Sequence, residues 1–551
     1  MFAGSGLVVG VIATVVLGVG IERASVGTAY SDPFAKIRAQ DECTYANSAL
    51  ALAHPGTHAG DWLTPKVLGR YLLYKPPLLL WMAGASLKLF GRSLGALRLP
   101  SLAAGVCAAL IVFWFARRER SILIACAAVI LFLSNSLVQI FARLCYTDML
   151  VLASIAGAMA FLYADPPLAR APSLAGFAAC VAAGIMTKSA AGLLPLFMLA
   201  LYWPLVRSEQ RPSVQRAALA AIIAAGIIAP WHIYQFVAHR QWFWADYVQV
   251  QLLGFGVQPP GPGSAESQAA FYAKRLMLAD PVLAALFLTA LPFLIAALRG
   301  RKQVLPALLA AWLAIAAGAL LGFRFQNLPY AIYVIPPVCL IAAAYNPLLS
   351  AGRAKWGVAA LCVIFAVKCA APQKIWGLSF GSAPNLPAVA VLRSYYDLGR
   401  TNELILADSD DFFYATTLPL PRVRYYFRVG DDVLRKFIPH YVDLGIMLTA
   451  DEFERLPQLE PAYAARLRSW GLDSTDPIGT AILGQSDDAL TGIVKARSQS
   501  DFYVTAQELE ILGRDETILR THSVRQAPNG RAFLLAADSG QRQVTPLPAR
   551  W

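Results

Sequence analysis

The sequence predicts a polytopic α-helical membrane protein with a C-terminal soluble α/β domain. Hydrophobic residues make up 57% of the 551 residues, and the mean hydropathy is +0.52. Charged residues make up only 15% of the chain, against about 25% in ordinary soluble domains. These values exclude the disordered, collagen-like and ordinary cytosolic classes of protein. From about residue 371 onward, charges become frequent and apolar runs become short, which indicates a separate soluble domain.

About eleven apolar stretches are long enough to form membrane spans, because a bilayer core needs roughly 20 residues of helix. With a cytoplasmic N-terminus, basic residues such as Arg117 and Arg118 fall mainly on cytoplasmic loops, as the positive-inside rule requires. This topology explains part of the net charge of +13. The odd number of spans places the C-terminus outside. The predicted spans are residues 2–20, 94–116, 121–139, 149–164, 173–187, 190–206, 217–232, 278–298, 304–322, 331–346 and 356–370.

One apolar stretch, residues 173–206, is interrupted only by Lys188. A single long helix there would reverse every later loop, whereas the alternation of arginines favours two spans. We therefore predict a membrane domain at residues 1–370. A soluble domain at residues 371–551 follows it on the periplasmic side.

Within the soluble domain, Leu404–Ala407 and Phe533–Leu535 have the composition of buried strands. Thr449–Glu452 and Thr505–Glu508 have the pattern of capping boxes that open helices. All eight cysteines precede this domain, so no disulfide framework is predicted for it. The chain also lacks a basic stripe with aromatic RNA-binding motifs, so no nucleic-acid partner is predicted.

The first outside loop, residues 21–93, is too long for a simple connection, and such loops are often functional. Its apolar stretch from Leu78 to Phe90 is too short to span comfortably and is predicted to lie in the membrane interface. Four ordered polar boxes lie in this loop or directly after it. They are Asp41-Glu42-Cys43-Thr44-Tyr45-Ala46, Gly60-Asp61-Trp62-Leu63-Thr64-Pro65, Lys75-Pro76-Pro77-Leu78-Leu79-Leu80-Trp81 and Arg98-Leu99-Pro100-Ser101.

These boxes resemble the first outside loop of the C-type (GT-C) membrane glycosyltransferases. The resemblance is closest to the bacterial aminoarabinose transferase and protein O-mannosyltransferase group. Asp148 matches the second acid of that pattern, and Thr187-Lys188 matches its Thr-Lys-Gly segment. Pro230-Trp231 and Leu328-Pro329 match later markers, so that the resemblance covers most of residues 21–346.

The sequence also departs from that pattern at several positions. Tyr74 stands where aminoarabinose transferases tend to have Glu, and Ser189 replaces the glycine after Thr-Lys. Gln249 and Gln251 lie where acidic or His residues are common. No metal site and no cofactor are therefore predicted, with a divalent cation left as an alternative.

The resemblance implies transfer of a sugar from a polyprenyl-phosphate carrier, undecaprenyl phosphate in bacteria, at the periplasmic face of the inner membrane. The implied acceptor is a lipid A-like glycolipid, a glycan or a protein. The sequence supports a lipid-linked donor independently, because it carries no nucleotide-binding motif. An anionic phosphate on an apolar tail requires cations at the rim of a hydrophobic groove.

The candidate site residues follow from the resemblance and from this chemistry. Asp41 is expected to act as general base or to orient the acceptor in a single inverting displacement. Asp41, Glu42 and Asp148 are the predicted catalytic residues. Lys75, Arg98, Lys188, Arg275 and Arg324 are predicted to bind the donor phosphate. Tyr45, Asp61, Trp62 and Tyr333 are predicted to bind substrate.

Two other classes of function remain open at the sequence level. A transporter or flippase for a lipid-linked sugar would place polar groups near the midplane and often shows internal symmetry, but no repeat is evident here. A membrane-anchored periplasmic binding protein would use the outer domain to capture a partner. That function leaves the acids of the first loop unexplained.

Overall fold

The computed structural model describes the membrane-domain helices and part of a C-terminal sheet. The predicted capping box at Thr449–Glu452 lies outside the described residues. The described residues are 8–16, 40–53, 62–67, 70–91, 93–254, 267–299, 303–322, 328–349, 354–370, 404–406, 423–425, 491, 494–495, 498–526 and 532–537.

Helices dominate the first 370 residues. Four short segments are 3-10 helices: Ser189–Leu193, Ser208–Gln210, Leu328–Val334 and Pro347–Leu349. A π-helix runs over Trp244–Gly254. The α-helices are α1 (8–16), α2 (Gln40–Ala53), α3 (Leu78–Phe90), α4 (Leu94–Glu119), α5 (Ile122–Ser134), α6 (Ser136–Phe141), α7 (Thr147–Ala164), α8 (Ala171–Lys188), α9 (Leu194–Leu205), α10 (Val214–Ala238), α11 (Arg240–Phe243), α12 (Gln268–Ala279), α13 (Pro281–Arg299), α14 (Val304–Gly322), α15 (Ile335–Ala344) and α16 (Ala354–Ala370).

Six helical segments of the described chain are long and apolar enough to cross a membrane. The multi-pass character predicted from hydropathy is therefore confirmed, while the count of eleven spans stays a prediction. Four shorter apolar helices coincide with further predicted apolar stretches. The six segments are Gly95–Glu119, Thr147–Ala164, Ala171–Leu205, Ser208–Ala238, Pro281–Arg299 and Val304–Gly322, and the shorter ones are Leu78–Phe90, Ile122–Ser134, Leu328–Ala344 and Ala354–Ala366.

The segment Ala171–Leu205 is not one straight helix. α8 ends at Lys188, and Ser189 has φ 44° and ψ −114°, a left-handed conformation that favours glycine. The chain then folds back onto α8 so closely that a Cβ on Gly192 would lie 2.0 Å from Ile185 N and 2.2 Å from Gly184 C. At 1.5 Å per residue, α8 is about 27 Å long, close to the thickness of a bilayer core.

The described parts of the first loop, residues 62–67 and 70–91, contain a short hairpin and a helix. Lys66–Val67 (β1) and Arg70–Tyr71 (β2) pair as an antiparallel hairpin. Prolines fix the approach to α3, which follows Pro77 and ends at Gly91, a residue with φ 81°. α3 has the 13 residues predicted for the short apolar stretch, and it packs against α2 and α4.

The described C-terminal strands are β3 (Leu404–Leu406), β4 (Val423–Tyr425), β5 (Asp501–Thr505), β6 (His522–Gln526) and β7 (Ala532–Ala537). They form a five-stranded mixed sheet in the order β4-β3-β5-β7-β6. Strands occur at both predicted positions, Leu404–Leu406 and Ala532–Ala537, and a helix begins directly after Thr505 as its capping box predicts. Strand β3 pairs in parallel with β4 and β5, and β7 pairs antiparallel with β5 and β6. Two described helices accompany these strands, α17 (Ala506–Leu512) and α18 (Glu516–Thr521).

Candidate active site

Four charged side chains from separate parts of the chain meet in one cluster. Asp41 lies in the first turn of α2 and Asp148 in the first turn of α7, where the helix dipole favours a negative charge. Lys188 lies in the last turn of α8, where the dipole favours a positive charge. Lys75 precedes Pro76 and Pro77, which fix the backbone. Lys75, Lys188 and Asp148 all lie close enough to act on the charge of Asp41.

Asp148 and Lys188 form the tightest contact of this charged cluster. Lys188 Nζ lies 2.6 Å from Asp148 Oδ1, and both side chains are buried. The Tyr333 hydroxyl donates to the same carboxylate oxygen at 2.9 Å. Lys188 Nζ also lies 4.4 Å from the centre of the Tyr330 ring, a cation–π contact. Asp148 therefore holds Lys188 in place through a short charge-assisted hydrogen bond.

Lys75 donates a hydrogen bond to an uncharged side chain, Gln251. Its Nζ donates to Gln251 Oε1 at 2.9 Å and lies 5.5 Å from the Tyr74 ring centre. Burial, and then the like charge of Lys188, lower the pKa of Lys75 from 10.5 to about 8. Gln251 reaches Lys75 from the π-helix, and such segments are frequent at functional sites.

Asp41 is accessible to water and yet enclosed by protein. Its side chain is exposed. The surrounding protein nevertheless removes water from the carboxylate and so raises its pKa above the ordinary value of 3.8. Lys75 and Lys188 act in the opposite direction, and Asp148 adds to the rise. An accessible carboxylate with a raised pKa can accept a proton from a group that comes into contact with it.

Glu42 and Arg98 bind each other instead of facing the cluster. Arg98 Nε and Nη2 donate to the two carboxylate oxygens of Glu42 at 2.7 and 2.8 Å. The side chains are 0% exposed for Glu42 and 1% for Arg98. The backbone N–H of Cys145 donates to Glu42 Oε1 at 2.9 Å.

The other predicted residues have more varied positions. Tyr45 is buried in α2, and its ring makes an edge contact with Tyr146 at 6.1 Å. Trp62 is partly exposed, and its carbonyl accepts a hydrogen bond from Trp81. Arg275 Nη1 donates to the Phe271 carbonyl at 3.1 Å. The predictions for Asp61 and Arg324 lie outside the described residues.

Sequence reasoning missed the contacts that hold the first loop onto α10. Trp231 Nε1 and Gln235 Nε2 both donate to the Leu63 carbonyl, at 2.9 and 2.6 Å. His232 Nε2 lies 2.8 Å from the Tyr247 hydroxyl, which connects α10 to the π-helix. The Pro230-Trp231 marker was the only signal for this region, because the spacing of a helix does not reveal which loop will dock on it.

The described residues contain no group of three or more His, Cys, Asp or Glu side chains that could hold a metal ion. At the cluster itself, two lysines stand beside the two aspartates, and their charges oppose a divalent cation.

Comparison with known proteins finds relatives for part of this chain. The family model described as dolichyl-phosphate-mannose-protein mannosyltransferase matches residues 74–256. The undecaprenyl phosphate-alpha-4-amino-4-deoxy-L-arabinose arabinosyl transferase of Edwardsiella ictaluri is 27% identical over 219 residues, which are 38% of this chain and 39% of that protein. The chain thus aligns with about two-fifths of the length of this relative.

Solved structures extend the likeness in fold over almost the whole chain. The crystal structure of ArnT from Cupriavidus metallidurans bound to undecaprenyl phosphate superposes with a TM-score of 0.63 at 17% identity, covering 97% of this chain and 98% of that one. The chain has the same fold as this ArnT structure. The apo oligosaccharyltransferase of Archaeoglobus fulgidus, at 11% identity, has a TM-score of 0.50 over 98% of this chain and 75% of that one.

The GT-C resemblance predicted from the loop motifs is confirmed by these matches. The matched family region contains Lys75, Asp148 and Lys188 and begins after Asp41. The structural likeness at this identity concerns the fold, so the roles of the four cluster residues rest on their own geometry.

Proposed function

We propose that this protein is an integral-membrane glycosyltransferase that moves a sugar from a polyprenyl-phosphate donor to an acceptor at the periplasmic face. The observation that carries the proposal is the cluster of Asp41, Lys75, Asp148 and Lys188. The names of its relatives support a polyprenyl-phosphate donor of the undecaprenyl type. Its apolar helices support a location in a membrane, and its bacterial relatives support the inner membrane. We further propose residues 1–370 as the transferase domain and residues 371–551 as a domain on the outer side.

Lys75 and Lys188 would bind the donor phosphate. The N-terminal turns of α2 and α7 contribute further partial positive charge at the same place. A phosphodiester carries one negative charge, and the released phosphate monoester carries up to two. Cations fixed in an enclosed site stabilise that added charge without reorganising, so they favour the transition state over the bound donor.

The reaction would be a single inverting displacement. The acceptor oxygen forms a bond to the anomeric carbon, and the bond from that carbon to the phosphate oxygen breaks. The acceptor proton passes to Asp41, and the electron pair of the broken bond leaves with the polyprenyl phosphate. If the acceptor is itself a phosphate, it needs no base, and Asp41 would then orient the reacting groups.

Asp148 would act through Lys188 and not on the sugar, because its carboxylate already accepts from Lys188 and Tyr333. Tyr333 would hold this pair in one arrangement. The proposed substrate contacts of Tyr45, Asp61 and Trp62, and the phosphate contacts of Arg275 and Arg324, remain predictions from the resemblance.

The acceptor is proposed as a lipid A-like glycolipid, another glycan or a protein hydroxyl group. All three present a nucleophilic oxygen at the outer membrane surface. The accessible side of Asp41 is the place where such an oxygen could enter.

The decisive experiment supplies undecaprenyl-phosphate-linked aminoarabinose, mannose and galacturonic acid one at a time, together with crude membrane acceptors. Release of undecaprenyl phosphate is followed by mass spectrometry. We expect the wild type to consume one donor, and Asp41→Asn and Lys188→Met each to lose at least about 100-fold of that turnover.

Asp165→Asn provides the matched control, because Asp165 directly follows α7 at the end opposite to Asp148. This variant should retain wild-type turnover. A folded wild type that consumes no donor with any acceptor would contradict the proposal and favour a transporter or a binding protein. Equal turnover by the wild type and Asp41→Asn would remove Asp41 from its role.

A further inference from the structure

The buried pair of Glu42 and Arg98 joins the two elements that carry the acids of the cluster. Glu42 follows Asp41 in the first turn of α2, and Cys145 lies three residues before Asp148. One carboxylate oxygen of Glu42 accepts both from Arg98 Nε, at 2.7 Å, and from the Cys145 N–H, at 2.9 Å. A single side chain thus connects α2, α4 and the segment that leads into α7.

Further contacts reinforce the same junction. Ser101, one turn after Arg98 on α4, bonds through its hydroxyl to both the N–H and the carbonyl of Tyr146, each at 3.3 Å. The ring of Tyr146 in turn packs edge-on against Tyr45 of α2. α4 therefore serves as a common frame on which the Asp41 turn and the Asp148 turn are both fixed.

Glu42 and Arg98 are buried, so neither side chain can contact a substrate in the observed arrangement. Arg98 is 1% exposed and Glu42 0%. Both carboxylate oxygens of Glu42 already accept hydrogen bonds from a guanidinium, a bidentate geometry that fixes direction as well as distance. A group in that position can orient its neighbours but cannot take a proton from an acceptor or bind a phosphate.

We infer that Glu42 and Arg98 are positioning residues, which set the place of Asp41 relative to Asp148 and thereby the geometry of transfer. This inference rests on the proposed glycosyltransferase function and assigns the pair a role that neither acid–base catalysis nor phosphate binding describes. Since misplacement of reacting groups by about 1 Å can cost about 100-fold in rate, the pair acts on kcat rather than on donor binding.

The test is a double-mutant cycle in detergent-purified full-length protein, using Glu42→Gln, Arg98→Gln and the double variant. Each single variant leaves one buried charge without its partner, whereas the double variant removes both charges together. We expect each single variant to lose about 100-fold in kcat and the double variant to recover about tenfold of that loss. The affinity for undecaprenyl phosphate, measured directly by binding, should stay at the wild-type value in all three.

The alternatives give different patterns. If Arg98 bound the donor phosphate, Arg98→Gln would weaken undecaprenyl phosphate binding and the second substitution would not restore turnover. If Glu42 were the base, Glu42→Gln would remain inactive in either background. Either pattern overturns the inference. Arg170→Gln is the control for loss of an arginine that contacts an aspartate, because its pair with Asp165 lies beyond the other end of α7.

A milder variant keeps the test open if the single variants fail to fold. Ser101→Ala removes only the hydroxyl that bonds to Tyr146, and it should lower kcat by about fivefold while undecaprenyl phosphate binding is unchanged. Unchanged kcat in this variant would contradict the positioning role. A wild type without turnover would overturn the proposed function, and this inference with it, whereas an active wild type with unrescued losses overturns the inference alone.

Discussion

At the scale of single residues, Lys75 links the proposed activity to pH. Its pKa of about 8 means that it is protonated below that pH and loses its charge above it. We therefore expect kcat/KM for the donor to fall as the pH rises through about 8, because this ratio reports the free enzyme. A bound phosphate stabilises the protonated form, so the same fall in kcat should occur at a higher pH.

Lys75→Arg is the matched variant for this prediction. A guanidinium stays charged throughout this range, so the alkaline fall near pH 8 should disappear while turnover persists at a reduced level. Steady-state kinetics between pH 6 and 10 would check this, with donor consumption as the readout. Persistence of the same alkaline limb in Lys75→Arg would assign it to another group.

The residue types of the site could be predicted from sequence, but their partners could not. The ordered boxes contained Asp41 and Lys75, and the wider resemblance added Asp148 and Lys188; the structure brings these four charged side chains close together. The boxes favoured Asp41 as the base but gave no sign that Glu42 would pair with Arg98. Consecutive residues on a helix point about 100° apart, so only the position of α4 decides that one faces the cluster and the other faces Arg98.

At the scale of elements, the reversal after α8 depends on the absence of a side chain at Gly192. A Cβ there would lie 2.0 Å from Ile185 N and 2.2 Å from Gly184 C. Both atoms belong to backbone, which cannot move aside as a flexible side chain can. We expect Gly192→Ala to destabilise the protein by about 3 kcal/mol, at the upper end of overpacking effects, and to displace Lys188.

Gly226→Ala is the control for this substitution. Gly226 lies in α10, and nothing lies within 4 Å of the position that its Cβ would take. An alanine there should be neutral or stabilise the helix by up to about 1 kcal/mol. Thermal unfolding in detergent and the yield of monodisperse protein would compare the two. Equal stability of both variants would contradict the close approach at Gly192.

Hydropathy predicted the positions of the helices better than it predicted where a helix breaks or changes its hydrogen-bonding pattern. The alternation of arginines favoured a break near Lys188, and the chain reverses there at Ser189. No such signal marked the π-helix at Trp244–Gly254. A π-helix differs from an α-helix in its i→i+5 hydrogen bonds, and the apolar composition of the segment does not reveal them. The π-helix nevertheless supplies Gln251 to Lys75, so the part of the site least evident from sequence lies on the least regular element.

At the scale of the whole molecule, the charge asymmetry of the loops predicts which side of the membrane carries the cluster. The bias of Lys and Arg toward cytoplasmic loops sets the orientation of membrane proteins. The first loop and the C-terminal sheet should both lie outside, and the loop between α9 and α10 should lie inside. One labelling experiment can therefore compare two positions that we expect outside the membrane with one that we expect inside.

Single cysteines at exposed positions, in a background with the eight native cysteines replaced, would measure this directly. Leu63→Cys in the first loop and Glu516→Cys beside the sheet should react with a membrane-impermeant maleimide in intact spheroplasts. Ser208→Cys should react only after permeabilisation. All three side chains are exposed, so differences in labelling report the side of the membrane and not burial. Labelling of Ser208→Cys with Leu63→Cys protected would invert the topology, and a lipid-linked donor on the outer face would then no longer be required.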